Sequence, residues 1–170
     1  MSNFTFSENR LHFTFPCVNA EKGDTPQLNG LGGVDFIVEL DDKYLFVEVK
    51  DLENPNVPKE ERIEWRERLF INKNNPLLTE LGIKFKDTIL RRWGMDLAFD
   101  KPIHYIVLLE FNVLDSKLKA KLTADLSGHL PTALTAHHGF HKNIRIKRRE
   151  ILSLTDWREK YKAYAVEVIA

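Results

Sequence analysis

Hydrophobic positions along this chain follow two rhythms, and the switches between them outline the predicted elements. Residues 34–40, VDFIVEL, and 44–50, YLFVEVK, are rich in strand formers and flank a short polar break, the pattern of a β-hairpin. The run IHYIVLLEF at 103–111 is almost continuously apolar, as a strand buried on both faces would be. NIRIKRRE at 143–150 alternates apolar and basic residues and predicts another strand. Helical spacing takes over elsewhere. Pro58 followed by acidic residues opens a predicted helix over 58–70. From 76 to 94, Leu77, Leu78, Leu81, Phe85, Ile89 and Trp93 make one broad apolar face, and Leu114, Leu118, Leu122 and Leu126 recur on the next helix, with Gly128 near its end. A last helix over 154–164 is opened by Thr155 or Asp156. Residues 3–15 fit either a short hairpin or a helix capped by Ser7 and limited by Pro16, and the glycine-rich segment 19–33 is expected to be loop. Strands alternating with helices in this order predict an α/β sandwich.

The hairpin carries charges that strand propensity does not explain. Alternation puts Val34, Phe36, Val38 and Leu40 on one face of its first strand, and Asp35, Ile37 and Glu39 on the other. On the second strand Leu45, Val47 and Val49 share a face, opposite Tyr44, Phe46, Glu48 and Lys50. A tight turn at Asp41 and Asp42 pairs Leu40 with Lys43, hence Phe36 with Val47 and Asp35 with Glu48. A three-residue loop would oppose Asp35 to Val49 and mix the faces. The register that keeps one face apolar is therefore the one that opposes two carboxylates, which repel by up to about 1 kcal/mol in an ordinary sheet. A divalent cation held by oxygen ligands relieves that repulsion. Lys50, on the same face, is a counter-charge and also a proton donor or water-orienting group. The competing reading is a solvated outer face on which Lys50 balances Glu48. Ile37, Tyr44 and Phe46 count against it, because they make the face too apolar to be simply exposed.

The stretch 34–50, VDFIVELDDKYLFVEVK, resembles the signature of the PD-(D/E)XK nuclease superfamily, with Asp35, Glu48 and Lys50 at the motif's acidic, acidic and lysine positions. Val34 stands where the motif has proline. The resemblance covers a short part of the chain, and its setting of strand, turn and strand followed by helix and apolar strand is what makes it specific. It implies an α/β, restriction-endonuclease-like three-layer sandwich, a mixed central sheet flanked by helices, with residues 1–170 as a single domain. It implies a metal-dependent nuclease that hydrolyses phosphodiester bonds, in DNA rather than RNA. Asp35 and Glu48, with the backbone carbonyl of Val49, would hold one or two Mg²⁺ or Mn²⁺ ions, and Lys50 would position or help deprotonate the attacking water. Members of the family add an upstream acidic ligand. Glu21, Asp24 and Glu8 are the candidates, Glu21 preferred, and each also reads as an ordinary surface carboxylate. Glu39, further along the same face, reads as solvated. Two alternatives stay open: a catalytically inactive module of the same fold that binds nucleic acid or a protein, and an α/β protein with a chance motif.

Composition narrows the setting. With 43% hydrophobic and 29% charged residues the chain is an ordinary globular one. Cys17 is its single cysteine, so an internal disulfide and a cysteine-based zinc site are excluded and a cytoplasmic location is expected. MSNFTFSENR has neither a basic start nor an apolar stretch, so no signal peptide is expected. No run reaches the roughly 20 apolar residues of a membrane span. Formal net charge is zero, so nucleic-acid binding would need a local basic patch. Arg145, Lys147 and Arg149 would share a strand face and follow a phosphate backbone, or else protect an edge strand. The lack of a recognisable DNA-binding module points to a homodimer or partner protein supplying specificity. His137, His138 and His141 lack the acidic or cysteine neighbours of a zinc site. Arg62, Arg66, Arg91 and Arg92 read as surface with possible substrate contact. The resemblance implies that Lys84 and Asp87, on the helix after the hairpin, lie where the family often adds a polar residue to the site. Trp65, Trp93 and Trp157 sit on apolar helical faces and read as core.

Overall fold

The computed structural model describes residues 2–24, 30–71, 75–135 and 143–169. The group His137, His138 and His141 lies outside the described residues. Strands β1 (Ser2–Glu8) and β2 (Leu11–Cys17) form an antiparallel hairpin, so residues 3–15 take the strand option. Its turn places Asn9 at φ 53°, a left-handed conformation that asparagine tolerates better than most residues. The C-terminal strand β9 (Ala165–Val168) pairs with β2 to complete a three-stranded sheet.

A second sheet of six strands carries the site. Strands β3 (Asn19–Lys22), β4 (Phe36–Glu39) and β5 (Tyr44–Asp51) run as an antiparallel meander. Strand β6 (Ile103–Glu110) lies parallel to β5, and β8 (Ile144–Leu152) parallel to β6. The two-residue β7 (Ala133–Leu134) closes the far edge. The segment expected to be loop therefore begins with a strand. NAEK has only one apolar side chain, Ala20, so an edge strand formed by tertiary pairing left no alternation to read.

Helix α1 (Lys59–Leu69) follows Pro58, which occupies the N-cap position. Helix α2 (Pro76–Gly94) starts at Asn75, whose side chain accepts from the Leu77 and Leu78 amides. Helix α3 (Ser116–Gly128) is capped by Asp115. The last helix, α4 (Leu154–Lys160), starts at the expected residue, but its cap lies two residues before Thr155. Ser153 caps it in a reciprocal box with Asp156, and it ends before β9 begins.

Helices α2 and α3 pack on one face of the six-stranded sheet, over Ile37, Tyr44, Phe46, Tyr105 and Val107. Phe85 lies between Phe46 and Tyr105 at ring distances of 5.7 and 5.0 Å. The other face is covered mainly by the three-stranded sheet and α4, through Phe13, Phe15 and Trp157 against Phe36, Val47 and Ile106. Helices α2 and α3 thus flank the mixed sheet on one side, and the short α4 lies on the other beside the three-stranded sheet. Burial on both faces removes the solvated-face reading of the hairpin. Among the described residues no helix is long and apolar enough to cross a membrane.

The two sheets are tied at the site's end. Arg10, in the β1–β2 turn, donates to both oxygens of Asp51, at 2.6 and 3.1 Å, and the Asp51 side chain is fully buried. Replacing Arg10 by methionine leaves that carboxylate without a counter-charge. The expected cost is about 3 kcal/mol of stability, read from equilibrium urea unfolding.

Candidate active site

The β4–β5 register pairs Phe36 with Val47, Ile37 with Phe46 and Glu39 with Tyr44, and the Leu40 amide donates to the Lys43 carbonyl at 2.9 Å. The ladder stops one step before Asp35. There the chain is held from two sides: the Gly23 amide donates to the Asp35 carbonyl at 2.9 Å, and the Val34 amide to Thr88 Oγ1 at 3.0 Å. Gly23 and Gly33 permit this approach, since a Cβ on Gly23 would collide with the Val34 carbonyl and one on Gly33 with the Gly23 carbonyl. Because the regular strand begins only at Phe36, Val34 joins the helix-side core and not the Phe36 face. Asp35 nevertheless reaches β5, where its Oδ2 accepts from the Val49 amide at 2.6 Å.

Glu48 projects toward α2 and is fully buried. Its Oε1 meets Lys84 Nζ at 2.6 Å and Lys50 Nζ at 3.2 Å, while Oε2 has no hydrogen-bond partner. Lys84 Nζ is also 3.9 Å from Asp35 Oδ1. Lys50 is held on its other side by Glu80 at 2.8 Å. The counter-charge expected from Lys50 is therefore shared, and Lys84 is the cation that spans both carboxylates.

Burial, then the Glu48 charge, pushes the Asp35 carboxyl up to about 8. Burial also raises Glu48, against the pull of Lys50 and Lys84. Burial works to lower the Lys50 ammonium, but Glu48 and Glu80 outweigh it and the net shift is upward. Even with two lysines beside them, both carboxyls are held above their ordinary values, so a further cation would favour their ionised forms. Their hard oxygens, with Glu48 Oε2 unpartnered, fit a divalent cation of the Mg²⁺ or Mn²⁺ type.

Glu8 and Asp24 supply further carboxylate oxygens, which with one of Asp35 all lie within 4.8 Å of one another. Glu21 is not part of this group. It pairs with Ile37 in the β3–β4 ladder, two steps from Asp35, and its carboxylate accepts from Arg92 at 2.9 Å. Glu39 bonds to Lys101 at 2.7 Å, away from the group.

The basic strand also departs from expectation. A β-bulge in the β6–β8 pairing uses up one residue between Ile146 and Arg148, so Arg149 turns to the helix face while Arg145 and Lys147 keep the other. Arg149 donates to the Pro131 carbonyl at 2.5 Å. Arg145 lies near the Ile146 level, which aligns through Ile103 with Tyr44, the opposite end of β5 from Glu48. No continuous basic stripe leads to the carboxylates along this strand.

Among the other arginines, Arg66 pairs with Glu53 at 2.6 Å, Arg91 donates to the Gly23 carbonyl, and Arg92 stacks over Tyr44 and Phe99. Arg62 is half-buried on α1. Trp157 is fully buried, and Trp65 and Trp93 are partly buried against the helix-side core.

Sequence reasoning passed over Glu80 and Thr88. Glu80, Lys84, Asp87 and Thr88 follow each other at helical spacing along the side of α2 that faces the hairpin. This polar stripe, adjoining the apolar one, was the available signal. Gly30, Gly32, Thr79, Glu80, Ile83 and Lys84 line a groove of about 670 Å³ beside the carboxylates. No family model matches the chain, and no curated protein or solved structure is similar to it at a significant level.

Proposed function

We propose that this chain is a metal-dependent nuclease of the restriction-endonuclease-like kind, hydrolysing phosphodiester bonds, with DNA the preferred substrate. One observation carries the proposal: two buried carboxylates, Asp35 and Glu48, meet at the end of a strand pair with one Glu48 oxygen unpartnered and Lys50 beside it. The mixed sheet supports it, since an antiparallel meander followed by a helix and a parallel strand is the arrangement the resemblance implies. Asp35, Glu48 and the Val49 carbonyl would hold Mg²⁺ or Mn²⁺, with Glu8 or Asp24 as a further donor. When bound, the ion lowers the pKa of a coordinated water and offsets charge on the reacting phosphate. Lys50, kept as an ammonium by Glu48 and Glu80, orients the attacking water and donates to a phosphate oxygen. The Val49 amide fixes the Asp35 side chain, and burial keeps bulk water from Glu48. Lys50 and Lys84 are both committed to carboxylates, and the basic strand is split. A homodimer or a partner protein therefore supplies the remaining grip on nucleic acid. The buried free thiol of Cys17 suits a reducing, cytoplasmic setting.

A second reading has one observation in its favour. Lys84 spans the two carboxylates where a cation would sit, as in a retired site neutralised by lysine. Crystals soaked in Mn²⁺ separate the two. An anomalous peak contacting both Asp35 and Glu48, with Mn²⁺-dependent cleavage of plasmid or single-stranded DNA, is expected of the nuclease. Carboxylates that stay bonded to Lys84 with no peak leave the inactive module.

A further inference from the structure

Resting on the metal-centre reading, we propose that Lys84 is the chain's own occupant of the cation position. A divalent ion then binds by displacing its ammonium from Glu48 and Asp35 into the adjoining groove. Lys84 Nζ lies 2.6 Å from Glu48 Oε1 and 3.9 Å from Asp35 Oδ1, so an ion bound by both carboxylates would share its surroundings with a full positive charge. The lysine fills the position incompletely. It is a point charge that reaches one oxygen of each carboxylate and leaves Glu48 Oε2 without a partner, whereas a hard divalent ion draws on several oxygens at once.

Displacement has somewhere to go. Glu80 and Asp87 lie one turn to either side of Lys84 on α2, and both line the same groove of about 670 Å³. Glu80 already accepts from Lys50 and Asp87 from the Gly32 amide, so both carboxylates face the path along which Lys84 would swing. In the metal-free chain the lysine lessens repulsion between two buried acids. In the metal-bound chain its ammonium lies at the rim of the cleft, between Glu80 and Asp87. Lys84 thereby sets the ion concentration at which the centre fills, a role separate from that of Lys50.

Calorimetric titration with Mn²⁺ alone, without nucleic acid, tests this on the full chain and on Lys84→Met and Lys84→Arg. Lys84→Met is expected to bind Mn²⁺ about tenfold more tightly or better, because a unit charge has left the immediate neighbourhood of the ion. Lys84→Arg, which keeps the charge, is expected to stay close to the unsubstituted chain. Tighter binding by Lys84→Met than by an unsubstituted chain that also binds supports displacement, whereas binding by that variant alone overturns it, because the ion then fails to move the lysine. Equal or weaker binding by Lys84→Met, while the unsubstituted chain binds, overturns displacement and leaves the metal centre standing. Absence of binding in all three overturns both. Lys84→Met also strips a partner from buried Glu48 and can unfold the metal-free chain, so the nitrogen-15 signal of the Lys84 ammonium is followed in the unsubstituted protein. Its protection from exchange is expected to vanish on adding Mg²⁺, and a signal unchanged at saturating Mg²⁺ overturns the proposal.

Discussion

Lys50→Ala is expected to reduce cleavage by about 10²–10⁴-fold, the range spanned by a positioned acid–base group, while the ion still binds. The side chain is mostly buried and its ammonium is clamped between Glu48 at 3.2 Å and Glu80 at 2.8 Å. It therefore arrives at the centre in one orientation and charged, as a group that orients water and donates a hydrogen bond must. Removing it takes away no oxygen ligand. Divalent-ion affinity should accordingly hold or rise slightly, since a positive charge has left Glu48. Single-turnover cleavage and Mn²⁺ calorimetry on the same variant separate the two effects. Activity equal to that of the unsubstituted chain would remove Lys50 from the chemistry. A parallel loss of ion binding would mean that Lys50 acts by holding Glu48 in place. The neighbouring lysine differs in degree, because Lys84→Met is expected to tighten ion binding about tenfold or better.

The hairpin was legible because its hydrophobic pattern allows one register, and that register alone brings Asp35 to β5. The structure reproduces the Phe36–Val47 pair and the turn at Asp41 and Asp42. Helix α2 was equally plain from its apolar face. What alternation could not convey was anything depending on a second element. Strand β3 has too few apolar residues to announce itself and forms by pairing with β4. Strand β9 is four residues long and gains its place against β2. The bulge that turns Arg149 away from Arg145 and Lys147 is a property of the β6–β8 pairing and leaves no trace in NIRIKRRE. The upstream acids posed the same difficulty. Glu21, Asp24 and Glu8 are indistinguishable as letters, and it is the Gly23–Gly33 approach and the Arg10–Asp51 clamp that bring Asp24 and Glu8 near Asp35 while Glu21 is taken by Arg92.

In the absence of divalent ions, stability is expected to fall as pH rises from about 4 to about 8, and Asp35→Asn is expected to remove most of that slope. The unfolded Asp35 carboxyl ionises near its ordinary value of 3.8, whereas burial and Glu48 hold the folded one at about 8. Across that window the folded chain keeps a proton that the unfolded chain has released. Stability is therefore fully present below pH 4 and is lost as pH climbs, by at most about 1.4 kcal/mol per pH unit for one group. Glu48, also raised by burial, adds a contribution of the same sign. Asparagine is neutral throughout, and its amide oxygen can still accept from the Val49 amide. At pH 8 in chelator, Asp35→Asn should exceed the unsubstituted chain in stability by several kcal/mol on that accounting. Saturating Mg²⁺ should reverse the order. An ion that pairs with ionised Asp35 and Glu48 stabilises the folded state of the unsubstituted chain, by mass action, and offers the variant much less. Urea unfolding at pH 5, 6.5 and 8, with chelator and with Mg²⁺, measures all four arms. A metal-free chain whose stability is flat over this range, or an Asp35→Asn variant that is the weaker one at pH 8 in chelator, would show that the two carboxylates do not compete for charge. The case for an ion between them would then lose its electrostatic basis.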